Sequence, residues 1–248
     1  MILTVNIGNT NINLGLFDSD TLISNFRISV KKWKHDESFI EEYWNNISEN
    51  EIDDIVIASV NPGAEAIFCK WLKAEYDKPP LKIGSDIQPK IPMDVKTPEK
   101  VGIDRIANST AAYRKINKGV IVVDMGTATT FDVVSNKGRY IGGVISPGLR
   151  MGANSLHTET QQLPLVEARK IKPVLGKNTT DAMISGIYWG YAGSVKLILE
   201  SLIDELKFKP IIIATGGDAE LIAETVEYIS EVIPNLTLEG IKIIYMET

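Results

Sequence analysis

The chain contains 248 residues, of which 44% are hydrophobic and 23% are charged, and its formal net charge is −6. This composition is typical of a globular protein, and no apolar run approaches the length that a membrane-spanning helix needs. The negative charge argues against a nucleic-acid-binding protein, because phosphate binding depends on clustered lysine and arginine, and the single cysteine excludes an intramolecular disulfide and a thiolate zinc site.

The first half of the chain begins with a predicted hairpin. Residues 2–6 form an apolar run of strand character that ends at the turn Ile7-Gly8-Asn9-Thr10, and a second β-rich run covers residues 13–17. The apolar opening lacks the basic segment, long apolar core and cleavage site of a signal peptide, so we expect a cytoplasmic protein without a membrane partner. A further strand is predicted at residues 55–60. Helical spacing of apolar residues predicts helices at residues 37–47, 64–75 and 103–115.

The second half repeats this order. An apolar run at residues 120–124 ends at the turn Met125-Gly126-Thr127-Ala128-Thr129-Thr130, and a β-rich run follows at residues 131–134. Aligning Asn6-Ile7-Gly8-Asn9-Thr10 with Asp124-Met125-Gly126-Thr127-Ala128 superposes strand, polar residue and glycine. A later strand is predicted at residues 210–215, and helices are predicted at residues 180–206 and 219–229.

Strands mixed with helices predict an α/β fold. The internal repeat predicts two related halves, residues 1–116 and 117–248, each with a mixed β-sheet flanked by helices and joined near residues 115–119. No glycine- and serine-rich linker occurs in the chain. We therefore expect the halves to share an interface with a hinge, and a ligand to lie between them.

Three glycine turns follow predicted strands, at Gly8, at Gly126 and at Thr215-Gly216-Gly217-Asp218. Glycine permits a positive φ and a close approach of the backbone to a ligand, so such a turn can direct N–H groups at phosphate oxygens. A single turn of this kind is more often an ordinary hairpin or a strand-to-helix turn. Turns at corresponding places in both halves favour a phosphate site, which differs from the P-loop and the dinucleotide fingerprint because neither motif is present.

The duplicated hairpins resemble the phosphate loops of the actin, hexokinase and Hsp70 superfold, which consists of two ribonuclease H-like ATPase halves. Nearly the whole chain is also similar to the type III pantothenate kinases, through motifs whose order and spacing are more specific than any one of them. The motifs are Asn6-Ile7-Gly8-Asn9-Thr10-Asn11, Ser59-Val60-Asn61-Pro62, Pro98-Glu99-Lys100-Val101-Gly102-Ile103-Asp104-Arg105, Asp124-Met125-Gly126-Thr127-Ala128-Thr129-Thr130, Gly142-Gly143-Val144-Ile145-Ser146-Pro147-Gly148, Gly176-Lys177-Asn178-Thr179 and Thr215-Gly216-Gly217.

This resemblance implies ATP-dependent phosphorylation of pantothenate to 4′-phosphopantothenate, the first step of coenzyme A biosynthesis, with Mg²⁺ and a monovalent cation, K⁺ or NH₄⁺. It also implies a homodimer whose acceptor site lies at the subunit interface, with Thr179 reaching over from the partner subunit. Asp104 is implied as the catalytic base and Asp124 as the ligand of the monovalent cation. The implied ATP-binding residues are Asn6, Ile7, Gly8, Asn9, Thr10, Asn11, Ile12, Asn13 and Thr127, and the implied substrate-binding residues are Gly102, Ile103, Asp104, Arg105 and Thr179.

The residue types agree with this chemistry. Phosphoryl transfer requires alignment, charge neutralisation and an oriented hydroxyl, and a carboxylate such as Asp104 can accept the hydroxyl proton. Arg105 offers a guanidinium fork for an anionic acceptor such as the pantothenate carboxylate. Simpler alternatives stay open: a helix-capping aspartate beside a surface arginine, and for Asp124 a strand-end carboxylate that accepts N–H groups of its own turn.

A group of apolar and aromatic residues in the long predicted helix has a simpler interpretation than a ligand site. Met183, Ile187, Trp189 and Tyr191 have helical spacing, which favours a core or a dimer interface. His157 lies in a polar stretch without an obvious second ligand, so we expect it to be solvated or hydrogen-bonded rather than catalytic.

Two positions depart from the family pattern. The family carries an aspartate where this chain has Asn6, and many members have a tyrosine where it has Val95. An amide oxygen can reach a metal-bound water but lacks the charge that attracts Mg²⁺, so we expect lower turnover or weaker metal binding. One alternative is therefore a catalytically weakened or silent relative that acts as a regulatory or nucleotide-binding protein. A kinase of the same superfold for a sugar or carboxylic acid is another, against which Gly102-Ile103-Asp104-Arg105 argues.

Overall fold

A computed structural model of the chain describes residues 1–33, 38–48, 50–76 and 78–248. The strands are β1 (Ile2–Ile7), β2 (Asn11–Asp18), β3 (Thr21–Ser29), β4 (Asp54–Ser59), β5 (Leu81–Lys82), β6 (Val120–Met125), β7 (Ala128–Val134), β8 (Tyr140–Pro147), β9 (Ile211–Thr215) and β10 (Glu231–Val232). The helices are α1 (Val30–Trp33), α2 (Ser38–Ile47), α3 (Pro62–Glu75), α4 (Ile103–Ile116), α5 (Leu149–Thr158), α6 (Thr179–Glu205), α7 (Ala219–Ala223) and α8 (Leu236–Met246), with a short 3₁₀ turn at Pro98–Lys100.

These elements form two compact units. Unit 1 comprises Met1–Pro92, Lys96–Ala111 and Leu236–Thr248, and unit 2 comprises Met93–Val95 and Ala112–Asn235. No helix in the described part of the chain is long and apolar enough to span a membrane.

The sheet of unit 1 has the strand order β3-β2-β1-β4-β5. β1 pairs antiparallel with β2 and parallel with β4, so the sheet is mixed. Leu3, Val5 and Ile7 of β1 are fully buried in one core, which also contains Trp33 and Phe68. Thr4, on the opposite face of β1, is also fully buried, so the central strand is covered on both faces.

The sheet of unit 2 has the corresponding order β10-β9-β6-β7-β8. β6 pairs antiparallel with β7 and parallel with β9. The long helix α6 buries Tyr188, Val195 and Leu199 in a core with Ile121 and Val123 of β6. Both predicted hairpins, the repeat of strand order and the α/β class are confirmed.

The helix predicted at residues 219–229 is shorter than expected, since α7 ends at Ala223. In a continuing helix the Leu221 carbonyl oxygen would accept the Thr225 amide. Instead it accepts the hydroxyl of Tyr188 at 3.2 Å, and the Thr225 amide donates to Ile222. A side chain from α6 thus contacts the carbonyl oxygen at the point where α7 ends. The predicted start of the helix at 37–47 lies outside the described residues.

The C-terminal helix α8 was not predicted, and it belongs to unit 1 rather than to the second half. It packs against β1 and β4. Its Gly240 touches α4, where an added Cβ would lie 2.1 Å from the Ala107 carbonyl oxygen. The compact units therefore differ from the division at residue 116, because the end of the chain returns to the first sheet.

Candidate active site

The turn of the first hairpin is held by hydrogen bonds on two sides. Asn6 of β1 faces Asn13 of β2 in the ladder, and the Gly8 amide donates to the Asn11 carbonyl oxygen at 2.9 Å. The Asn61 side chain, which follows β4, donates to the Gly8 carbonyl oxygen at 3.4 Å. The predicted ATP-binding residues 6–13 therefore lie in one hairpin that is fixed to the neighbouring strand.

Asn6 has an unusual environment. Its side-chain oxygen Oδ1 is buried and has no hydrogen-bond partner among the described residues. A buried acceptor is costly to leave unpaired, and such groups are often satisfied by an ordered water or an ion. Mg²⁺ is commonly held by one or two protein oxygens together with waters and phosphate oxygens. The position thus fits an oxygen that faces hydrated Mg²⁺, although it carries an amide instead of a carboxylate.

A dedicated protein cage for a metal ion is not found in the part of the chain that the structure describes, which contains no group of three or more His, Cys, Asp or Glu side chains suited to one. Carbonyl, water and phosphate oxygens would have to complete the shell of a cation at Asn6 or Asp124. This is the usual arrangement for Mg²⁺.

Asp104 lies in the first turn of α4 and is partly buried. The backbone amide of Arg105 donates to its Oδ1 at 2.8 Å. Burial raises the pKa of the Asp104 carboxyl above its ordinary value, against the lowering effects of the Arg105 amide and guanidinium. A higher proton affinity suits a general base.

Within unit 1, Gly102 and Val60 lie between the Asp104 carboxylate and the first hairpin. An added Cβ on Gly102 would lie 2.6 Å from Asp104 Oδ1 and 3.7 Å from Cγ1 of Val60. Val60 follows β4, and its amide donates to the Ile7 carbonyl oxygen at 3.0 Å. The structure therefore brings the predicted base and the predicted ATP-binding hairpin to the same end of the unit 1 sheet.

In unit 2 the second hairpin meets the third glycine turn. Asp124 faces Thr130 in the ladder. Gly216 has φ +95°, and an added Cβ would lie 2.6 Å from both Asp124 Oδ1 and the Met125 carbonyl carbon. The Asp218 amide donates to the Met125 carbonyl oxygen at 3.2 Å. Only glycine at position 216 allows the third turn to lie this close to the end of β6.

The start of α5 also touches the second hairpin. An added Cβ on Gly148 would lie 2.2 Å from the Thr127 carbonyl oxygen and 2.6 Å from that of Gly126. Thr127, the predicted ATP-binding residue of this turn, is exposed. Three segments of unit 2, the hairpin turn, the third turn and the start of α5, therefore converge.

Tyr191 of α6 contacts β7, the second strand of this hairpin. Its hydroxyl is 2.5 Å from the Thr129 hydroxyl. Burial raises the pKa of Tyr191 to about 12, and the negative charges of Asp218 and Asp124 add to the increase. Tyr191 thus stays protonated at neutral pH and keeps its hydrogen bond to β7.

The expectation of core packing for the α6 residues is confirmed for Met183, Ile187 and Tyr191, which are buried. Thr179 is the exposed first residue of the same helix. His157 is exposed, and its Nδ1 lies 2.8 Å from the Leu163 carbonyl oxygen, so the expectation of a hydrogen-bonded histidine is confirmed.

One ion pair of this region was not predicted from the sequence. Nε of Arg150 lies 3.4 Å from Oδ1 of Asp218. Each residue directly extends a glycine motif, since Asp218 follows Gly216-Gly217 and Arg150 stands two residues after Gly148. The signal that could have predicted the pair is a charged residue shortly after each of two glycine motifs, with opposite charges at the two places.

Comparison with known proteins agrees with these observations. A model of the family described as "Type III pantothenate kinase" matches residues 2–201. A type III pantothenate kinase from Geotalea daltonii is 39% identical over 99% of this chain and 98% of its own length. Among solved structures, a Baf family protein from Campylobacter jejuni has a TM-score of 0.63 at 22% identity, covering 99% of this chain and 98% of that one. The ethanolamine utilization protein EutJ from Carboxydothermus hydrogenoformans has a TM-score of 0.59 at 17% identity, covering 98% and 89%.

The two mixed sheets, each with its glycine hairpin, define the actin-like fold, which the similar solved structures share. Within that class, the matched family model and the identity along the full chain decide the group. The chain belongs to the type III pantothenate kinase family.

Proposed function

We propose that this chain is a kinase that phosphorylates pantothenate with ATP to give 4′-phosphopantothenate, the first step of coenzyme A biosynthesis. The observation that carries the proposal is that the chain belongs to this family, since it is 39% identical to a type III pantothenate kinase over 99% of its length. The position of Asp104 beside the first glycine hairpin supports it, because a base near a phosphate-binding turn is what phosphoryl transfer to an alcohol needs.

Asp104 is assigned as the general base. Its carboxylate would accept the proton of the pantothenate primary hydroxyl as that oxygen attacks the γ-phosphorus of ATP. Burial strengthens its proton affinity. Gly102, Ile103 and Arg105 are assigned to the acceptor, and the Arg105 guanidinium would bind the pantothenate carboxylate through two N–H groups.

The nucleotide is assigned to residues 6–13 of the first hairpin and to Thr127 of the second. Backbone N–H groups of glycine turns bind phosphate oxygens without a side chain in the way. Mg²⁺ would supply charge neutralisation at the phosphates, with Asn6 Oδ1 directed to its hydration shell. The carboxylate of Asp124 is assigned to a monovalent cation, K⁺ or NH₄⁺.

The proposed enzyme is a cytoplasmic homodimer. Thr179 is exposed at the start of α6, which leaves its hydroxyl available to the acceptor site of a partner subunit. Family resemblance supports this assignment, and dimers mixed from Asp104→Asn and Thr179→Ala subunits test it.

ADP release in a coupled assay tests the proposed function. The purified protein is given MgATP with K⁺ and one acceptor at a time: pantothenate, a hexose or a simple carboxylic acid. We expect turnover with pantothenate alone, and a lower rate when K⁺ is replaced by Na⁺. Turnover with the sugar or the acid in place of pantothenate would contradict the proposal.

The same assay distinguishes the proposed kinase from a catalytically silent relative. A wild-type protein that binds MgATP but releases no ADP with any acceptor would contradict the proposed reaction. If Asn6→Asp then restored pantothenate-dependent turnover, the missing carboxylate would be the cause of the inactivity.

A further inference from the structure

The carboxylate of Asp218 does not make the hydrogen bond that its position at the start of α7 predicts. Asp218 is the N-cap of α7, where an aspartate normally accepts a backbone N–H of the first turn. Its side chain makes no such hydrogen bond, and only 7% of the residue is exposed. A buried carboxylate needs a partner of opposite charge. Asp218 has one in Arg150, whose Nε lies 3.4 Å from its Oδ1.

Arg150 is exposed, in contrast to its partner. Its side chain retains 77% of its accessible surface. Solvent screens the charge of the exposed Arg150, so its contact with the buried Asp218 is only a partial explanation for placing an arginine here. An arginine that is anchored at one nitrogen and otherwise open to solvent presents the remainder of its fork to an incoming anion. Phosphate oxygens match that fork.

Both partners come from segments that touch the second hairpin. Arg150 is the second residue of α5, whose preceding Gly148 packs against the Gly126 and Thr127 carbonyl oxygens. Asp218 ends the third glycine turn, and its amide is bonded to the Met125 carbonyl oxygen. The two residues of the ion pair thus come from the two segments whose backbones pack against the second hairpin.

We propose that Arg150 binds a phosphate oxygen of the nucleotide, and that Asp218 is a positioning residue that fixes the guanidinium at the second hairpin. This inference rests on the proposed function for the presence of a nucleoside triphosphate. It adds a cationic side chain to a phosphate site that is otherwise built from backbone N–H groups and small polar residues.

Equilibrium binding of MgATP by calorimetry tests the inference with three single variants, Arg150→Met, Arg150→Lys and Asp218→Asn. We expect Arg150→Met to weaken MgATP binding by roughly tenfold or more, since it removes a charge-assisted hydrogen bond. Arg150→Lys should recover part of the affinity, because it keeps the charge but not the fork. Thermal melting should be nearly unchanged in Arg150→Lys, which keeps a positive charge beside the buried Asp218, whereas Arg150→Met leaves that carboxylate unpaired and should melt at a lower temperature.

Asp218→Asn should weaken MgATP binding less than Arg150→Met, and it should have no further effect when it is combined with Arg150→Met. Such non-additivity is expected when one residue acts through another. Arg139→Met is the matched control, because Arg139 is another arginine of unit 2 that pairs with a carboxylate, Asp94, at 3.6 Å. It should bind MgATP as the wild type does.

Unchanged MgATP affinity in Arg150→Met would overturn the inference. If Arg150→Lys lost as much MgATP affinity as Arg150→Met and melted at an equally lowered temperature, the inference would be overturned as well, since the pair would then be structural. Turnover separates the inference from the proposed function. If the wild type phosphorylates pantothenate while Arg150→Met binds MgATP normally, only the inference fails. If Arg150→Met loses MgATP affinity but the wild type does not phosphorylate pantothenate, only the proposed acceptor fails.

Discussion

The proposed role of Asp104 as general base sets two requirements that oppose each other in a folded protein. A general base must be ionised to accept a proton, yet partial burial disfavours the ionised form and raises the pKa of this carboxyl. The Arg105 amide compensates in part by donating to Oδ1 at 2.8 Å. We therefore expect the ionised Asp104 to lower the stability of the protein, a compromise that is common at active sites.

We expect Asp104→Asn to melt at a higher temperature than the wild type at about pH 7, because the amide cannot ionise but keeps an oxygen for the Arg105 amide. The pKa of the folded carboxyl lies above its ordinary value of 3.8, so the fold disfavours the ionised form. The advantage of the variant is therefore complete above the folded pKa and disappears as the pH falls through it, because the wild-type carboxyl then becomes neutral. Thermal denaturation at about pH 7 and about pH 4 checks this. A variant that melts below the wild type at neutral pH would show that the carboxylate is stabilising.

At the first hairpin we expect Asn6→Asp to bind Mg²⁺ more tightly and to turn over faster. The Asn6 oxygen is buried without a partner among the described residues, and a carboxylate there would add the charge that attracts Mg²⁺. Without Mg²⁺ the variant should melt at a lower temperature than the wild type, because an unpaired buried charge is costly. The measurements are the Mg²⁺ dependence of turnover and melting with and without MgATP.

The control for this variant is Asn45→Asp, which adds the same charge at an exposed position of α2. It should change neither the Mg²⁺ dependence nor the melting shift on adding MgATP. Equal Mg²⁺ dependence of Asn6→Asp and the wild type would remove Asn6 from the metal-binding hypothesis.

The sequence predicted the glycine turns, because their residue type is limited by backbone geometry, and the family resemblance singled out Asp104, whose role stays a prediction. It did not reveal how charged side chains orient. Asp218 stands where a helix cap is expected, yet its carboxylate is directed to Arg150. That choice depends on α5 being adjacent, and adjacency is a property of the fold rather than of the local sequence.

Among the secondary-structure elements, the third glycine turn depends on a single residue. Gly216 has a positive φ, and an added Cβ would lie 2.6 Å from Asp124 Oδ1 and from backbone atoms of β6. We expect Gly216→Ala to lower the free energy of unfolding by about 1–3 kcal/mol through backbone strain. The displaced Asp124 should also weaken activation by K⁺. Denaturant unfolding and the K⁺ dependence of turnover measure the two effects.

Gly193→Ala is the matched control for this turn. Gly193 is exposed in α6, and nothing lies within 4 Å of an added Cβ. Alanine should leave the stability unchanged or raise it by roughly 0.5–1 kcal/mol, since glycine is a poor helix residue. Equal effects of the two substitutions would contradict the close packing at the third turn.

Strands and long helices of this fold were predictable because their apolar runs and helical periods are intrinsic to the sequence. Two helices differ from the prediction. α7 ends early, at the point where the Thr225 amide donates to Ile222 instead of Leu221. α8 was not predicted, and its place against β1 and β4 is a contact between distant parts of the chain.

At the scale of the whole molecule, the duplication explains why one chain contains two similar glycine hairpins with different polar residues. Asn6 and Asp124 occupy corresponding positions at the ends of β1 and β6. Only the second position keeps a carboxylate. We therefore assign different cations to the two positions, with hydrated Mg²⁺ near the amide and a monovalent cation at the carboxylate.

Mixed dimers test the proposed contribution of Thr179 to a partner's acceptor site. Asp104→Asn and Thr179→Ala proteins should each be weakly active, whereas subunits mixed by unfolding and refolding should recover activity. A mixed dimer has one site with both residues intact. With random pairing, about a quarter of the wild-type rate is expected for a symmetric dimer. No recovery, although mixed dimers are present by native mass spectrometry, would place Thr179 in the site of its own subunit.

The most direct test of the account is the rate at which 4′-phosphopantothenate forms from MgATP and pantothenate, measured by mass spectrometry for the wild type and Asp104→Asn in parallel. We expect product from the wild type in the presence of K⁺. We also expect a rate lower by about 10²- to 10⁴-fold in the variant, which lacks the proposed general base but remains folded. Equal rates for the two proteins, or no pantothenate-dependent product from the wild type, would contradict the account.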